Sequence, residues 1–145
     1  MKIVDSTLAD SILDIHITKQ GNFYFLEGMV ISEINEGITY TFNEASKVIQ
    51  AAHDFYGPNI SVCYLSNRVN NYSLKPSDWL KFFRNTSNQL NGYAVITKSE
   101  NSWFNALMER LFCKTDIVRF DNLYKAIEWA KEQNAAIDNK TSLAS

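Results

Sequence analysis

A chain of 145 residues with 46% apolar, 21% charged and 13% aromatic positions has the size and make-up of one globular domain. Five Gly, two Pro and sixteen Phe and Tyr exclude collagen-like and disordered chains, and no stretch approaches the roughly 20 apolar residues of a membrane span. Fourteen Lys and Arg face sixteen Asp and Glu, for a net charge of −2, and the basic residues are scattered singly. Nucleic acid and an anionic membrane surface are therefore not expected partners. Two isolated cysteines, Cys63 and Cys113, and no apolar leader after Met1 predict reduced thiols in a cytoplasmic protein.

Residues 1–11 carry little periodicity. Residues 13–18 alternate at period two and predict an edge strand or an irregular lead-in. Residues 22–26 and 29–34 are apolar runs around the Glu27-Gly28 turn, the pattern of an antiparallel hairpin. Thr41 and Glu44 have capping-box spacing for a helix that carries Ala45, Val48, Ile49, Ala52 and Phe55 on one face and stops at Gly57-Pro58. Residues 60–65 are almost all apolar and predict a strand buried on both faces. A polar loop over 66–75 leads to Pro76, a first-turn proline for a helix bearing Trp79, Leu80, Phe82 and Phe83. Residues 93–97 predict another strand. Ser99 can cap the helix that follows, with Trp103, Phe104, Leu107, Met108, Leu111 and Phe112 as its stripe. Residues 117–120 predict a last strand, and Asp121 a cap for a final helix with Leu123, Ala126, Ile127 and Ala130 inward. The domain spans 1–135, and 136–145 is expected to be a flexible tail. The order predicts an α/β fold: a mixed, mostly parallel sheet with an N-terminal antiparallel hairpin and about four helices.

In open α/β sheets ligands bind outside the carboxyl ends of the strands, near a switch in strand order. Parallel strands would bring the loop after Leu65 and the loop after Ile96 to one rim. The first carries Ser66, Asn67, Arg68, Tyr72, Ser73 and Lys75, and the second Thr97 and Lys98. Each leads into a helix N-terminus, which favours an anion, and Arg68 can hold a carboxylate or phosphate in a bidentate pair. The competing reading is structural: Asn67 and Ser73 satisfy loop backbone, and Arg68 pins the loop to Glu33 or Glu36. The apolar excess at Trp79, Leu80, Phe82 and Phe83 can be plain core, an apolar-ligand cleft shared with Trp103, or a homodimer patch. Metal-ligand spacing, a nucleophile with a base, a glycine-rich phosphate loop and a carboxylate pair are all missing from the sequence. No cofactor and no enzymatic activity are expected. A protein partner at the rim is the first expectation, and a small anion or an apolar ligand the alternative.

Several words carry a family likeness. They are Ser32-Glu33-Ile34-Asn35-Glu36-Gly37, the run from Tyr64 to Ser73 that contains Ser66-Asn67-Arg68, Lys75-Pro76-Ser77-Asp78-Trp79, and Phe120-Asp121-Asn122-Leu123 through Trp129. With the hairpin and the helix–strand repeats, they resemble the STAS domain (sulfate transporter and anti-sigma factor antagonist) and its SpoIIAA-like relatives. The words resemble more closely a group of small bacterial STAS/SEC14-like proteins typical of Bacteroidetes. The resemblance implies an α/β fold of that type and a regulatory or protein-interaction role, with SEC14-like ligand binding as the alternative. In anti-sigma antagonists a phosphorylatable serine sits in an Asp-Ser-Ser/Thr-Gly-like word before the second helix. That word is absent here, and Ser66, Ser73 and Ser77 occupy the comparable stretch.

Overall fold

The computed structural model describes residues 1–58, 61–70, 72–74, 90–109 and 117–144. Six strands form one sheet in the order β1 (Asp14–Ile17), β2 (Gly21–Leu26), β3 (Met29–Ile34), β5 (Cys63–Asn67), β7 (Gly92–Ile96) and β8 (Ile117–Phe120). β1, β2 and β3 are an antiparallel meander, and β3, β5, β7 and β8 run parallel. Two short strands, β4 (Thr39–Tyr40) and β6 (Ser73–Leu74), pair with each other beside the main sheet. Among the described residues the helices are α1 (Phe42–Tyr56), α2 (Glu100–Glu109) and α3 (Leu123–Ala144), and two 3-10 turns, Ile3–Asp5 and Thr7–Ser11, precede β1. The helix expected from Pro76 lies outside the described residues.

The period-two pattern sorts the core onto two faces. Phe23, Phe25, Val30 and Ile34 point to a front face, where Val48 and Ala52 of α1 cover them. Farther along that face Ala106 of α2 packs on Tyr93, Val95 and Ile117. Tyr24, Leu26, Met29, Ile31, Cys63, Leu65, Ala94 and Ile96 point to the back, under Leu123, Ala126, Ile127 and Ala130 of α3. Ile3, Leu8 and Ile12 pack into the same back cluster, so the first twelve residues form a strap that does the work of a second helix. Strand order rises steadily across the sheet, and right-handed crossovers that always step the same way leave their helices on one face. That is why α1 and α2 share the front. The described strands contain no reversal of order, so the rim does not lie at the switch in strand order expected from the sequence.

Most predicted elements fall within a residue or two of those observed. β5 begins at Cys63 and runs on through Asn67, because Arg68 still donates its backbone N–H to the Ile96 carbonyl, at 2.9 Å. Thr41 is the N-cap of α1 with an extended backbone, but its side chain makes no cap bond, so the capping box is not formed. Ser99 does cap α2, its Oγ accepting from Ser102 N–H at 3.3 Å. The final helix is capped by Asn122 and not by Asp121: Asn122 Oδ1 accepts from Tyr124 N–H at 2.8 Å and Lys125 N–H at 3.3 Å. The helix then continues through Ala144, where a tail was expected. Beyond Ala130 the contacts with the sheet turn polar, Asn134 donating to the Gly28 carbonyl and accepting from Asn91.

Two glycines are dictated by their surroundings. Gly28 turns the hairpin at φ +72, a left-handed conformation that suits glycine, and its carbonyl accepts from Asn134 Nδ2 at 2.9 Å. At Gly92 an added Cβ would stand 2.6 Å from the Trp129 ring, so the missing side chain lets α3 close on the sheet.

Candidate functional site

β3, β5, β7 and β8 end on one side of the molecule, and β2, running the other way, starts there. The loops after β5 and β7 therefore share one rim, as parallel neighbours must. The loop after β3 is tied to the loop after β5 through the β4–β6 pair, with Thr39 beside Ser73 and Tyr40 beside Leu74.

On the front of the rim a polar cluster closes on itself. Tyr64 donates to Ser32 Oγ at 2.7 Å, and Ser66 Oγ and the Tyr72 hydroxyl lie 2.9 Å apart. Arg68 Nε donates to Ser66 Oγ at 3.0 Å, and its guanidinium lies 4.5 Å from the centre of the Tyr72 ring. Ser66 is only 1% exposed and Arg68 only 7%. Burial pushes the Tyr64 and Tyr40 hydroxyls above their ordinary range, so both stay protonated. The Tyr40 hydroxyl is buried and makes no hydrogen bond among the described residues.

On the back of the rim the centre is Glu33, also 7% exposed. Its Oε2 accepts from the backbone N–H of Ile3 at 2.8 Å and from Asn67 Nδ2 at 2.7 Å. Asn67 Nδ2 also reaches the Met1 carbonyl at 2.9 Å. A buried carboxylate needs such donors, and here one comes from the strap and one from β5, so the strap is tied to the ends of β3 and β5. Beside this knot is a cleft of about 140 Å³ lined by Lys2, Val4, Asn22, Tyr24, Glu33, Asn35, Val69 and Asn70. Burial, followed by the nearby Glu33 carboxylate, raises the Tyr24 hydroxyl, although Asn22 opposes the shift.

The expected site residues are thus split by the sheet. Ser66, Arg68 and Tyr72 lie on the front, and Asn67 on the back. Ser73 is in β6, and Lys75 lies outside the described residues. Thr97 is buried and its Oγ1 accepts from Ser99 N–H at 3.0 Å, which shapes the start of α2, whereas Lys98 is exposed. Glu33, expected as a partner for Arg68, is on the opposite face and bonded to the strap. Ser66, one of the serines set beside the phospho-switch, is buried and held by Tyr72 and Arg68. Of the proposed apolar cleft, Trp79 and Phe83 lie outside the described residues, and Trp103 is half-buried with the Arg119 guanidinium 5.7 Å from its ring centre. Sequence reasoning missed Glu33, Asn22, Tyr24, Asn35 and Asn70 as cleft residues. The available signal was Glu33 itself, a charge at an inward position of an apolar strand.

Among the described residues no group of three or more His, Cys, Asp or Glu side chains is placed to hold a metal ion, and no helix is long and apolar enough to cross a membrane. Compared with known proteins, the chain matches no family model, no curated protein and no solved structure.

Proposed function

We propose that this chain is a non-enzymatic, STAS-like regulatory domain whose rim meets a protein partner. One observation carries the reading: five of the polar side chains that would have to reach a substrate are turned inward and bonded within the protein. Ser66, Asn67, Arg68, Tyr72 and Thr97 are all buried. They stiffen the rim, and among the described residues what it offers outside includes Asn35, Glu36, Thr39, Lys98, Asp121 and Asn122, a surface of mixed charge. Such a surface suits the polar margin of a protein contact. The cleft supports the alternative for a small polar molecule, since about 140 Å³ is well below the roughly 300–1,000 Å³ of ordinary ligand pockets.

The test begins with partners that co-purify from the source cell, each then produced and titrated against the pure chain. Lys98→Glu reverses an exposed rim charge and is expected to weaken a true rim partner roughly tenfold while leaving the melting temperature in place. Binding indifferent to Lys98→Glu and to Asp121→Lys would overturn the rim assignment. A small molecule retained in native mass spectrometry and lost on Glu33→Gln would favour the cleft instead.

A further inference from the structure

β1 is an outer strand of the sheet, and three of its neighbouring apolar side chains face water: Leu13 is 60% exposed, Ile15 43% and Ile17 74%. An open edge with an apolar stripe is a template for another strand, and proteins ordinarily blunt it. The backbone shows which groups are on offer. Thr18 donates to the Gly21 carbonyl at 3.0 Å, and bonded pairs alternate along an antiparallel ladder. With Asp14 opposite Phe25 and His16 opposite Phe23, residues 14 and 16 turn their backbone groups toward β2. Ile15 and Ile17 turn theirs outward. In agreement, Ile15 N–H is met by the carboxylate of its own neighbour, Asp14, at 2.9 Å.

We propose that this edge pairs, antiparallel, with β1 of a second copy of the chain, about a two-fold axis at Ile15. The bonding pattern admits symmetric registers centred on residue 14, 15 or 16. Centred on 14, Asp14 meets Asp14. Centred on 16, His16 meets His16. Centred on 15, Asp14 of each copy meets His16 of the other, in the non-bonded pairs where side chains approach most closely. The carboxylate accepts an imidazole N–H there. Ile15 then faces Ile15, while Leu13 keeps its N–H on the Phe25 carbonyl of its own sheet, at 2.8 Å, and stays outside the new ladder. Residues opposite one another across strands share a face, so the two Asp–His pairs lie on the front with Phe23 and Phe25, and the apolar stripe lies on the back with Tyr24. The pattern Asp-Ile-His is thus its own complement. Ile15 N–H exchanges the Asp14 carboxylate for the carbonyl of Ile15 in the second copy, which frees Asp14 for His16. So short an edge buries less than a standard interface, and the dimer is weak.

Sedimentation equilibrium from about 1 to 500 μM reads the association. The wild-type chain is expected to shift from monomer to dimer across that range. His16→Asp places like charges opposite each other twice and should weaken the dimer roughly tenfold. Asp14→His combined with His16→Asp restores both pairs and should return the constant to within about threefold of wild type. Ile15→Pro removes a donor that β2 does not use and should leave a folded monomer by circular dichroism. A wild-type chain that is monomeric throughout, or a dimer unmoved by His16→Asp and Ile15→Pro, overturns the proposal. So does failure of the double exchange to recover what the single change loses.

Discussion

Glu33 shows how one side chain can decide what a rim is for. Its carboxylate satisfies the Ile3 N–H and Asn67, and truncating it leaves the buried Ile3 N–H without its acceptor and Asn67 with the Met1 carbonyl in place of two partners. Glu33→Ala is expected to lower stability in urea by about 2–3 kcal/mol, and Glu33→Gln by less, since the amide oxygen still accepts. Cys63 is a second informative residue. Its Sγ sits 3.6 Å from the Ala130 carbonyl and 3.5 Å from Asn134 Oδ1, and burial pushes the thiol up to about 11. A raised value means that the fold prefers the protonated thiol. This contribution to stability is therefore whole below the ordinary thiol value of 9.0 and drains away as pH climbs toward 11. The buried hydroxyls of Tyr40, Tyr56 and Tyr64 are shifted in the same direction. Urea midpoints should thus fall between pH 9 and 11, and a Cys63→Ala chain should show a shallower fall at the start of that interval. A midpoint flat across it would contradict the assignment.

At the level of elements the sequence was most readable where one period dominated. β2, β3 and β8 are short, mostly apolar runs set off by turn residues, and α1 has both an apolar face and a Gly-Pro stop, so their bounds came out nearly right. Helix starts were harder, because Asp and Asn are equally good caps and stand side by side at 121 and 122. The structure gives them different work: Asn122 caps, while Asp121 makes an exposed ion pair with Lys125 at 3.5 Å. Asn122→Ala should cost about 1 kcal/mol in chemical denaturation, and Asp121→Ala under about 0.5. Equal losses would show that the cap is shared. The rim loops were legible as polar turns at the ends of parallel strands. Which way each side chain pointed was not. Ser66 and Asn67 are neighbours on opposite faces, and Glu33 finds Asn67 only because β3 and β5 pair with Ser32 beside Ser66. A slip of one residue would exchange the faces, and composition holds no record of register.

Across the whole molecule the two sides are built differently. Front cover comes from segments that join successive strands. Back cover comes from the strap and the last helix, which the chain supplies at far-separated times. Thr7 meets the Tyr124 hydroxyl through its N–H at 3.2 Å and its Oγ1 at 3.3 Å, 117 positions apart in sequence. Closing so long a span is entropically harder than closing a single crossover, though the penalty grows only logarithmically. The steady march of strands therefore lets the polypeptide be zipped from one end toward the other, with the rear latched last. In native-state hydrogen exchange the Ile3 and Thr7 amides should open together, at a lower free energy than those of β3 and β5. If they exchanged solely through global unfolding, latch and zip would be a single cooperative unit. A latch that releases before the zip would let the buried carboxylate at Glu33 meet water while the sheet stayed whole.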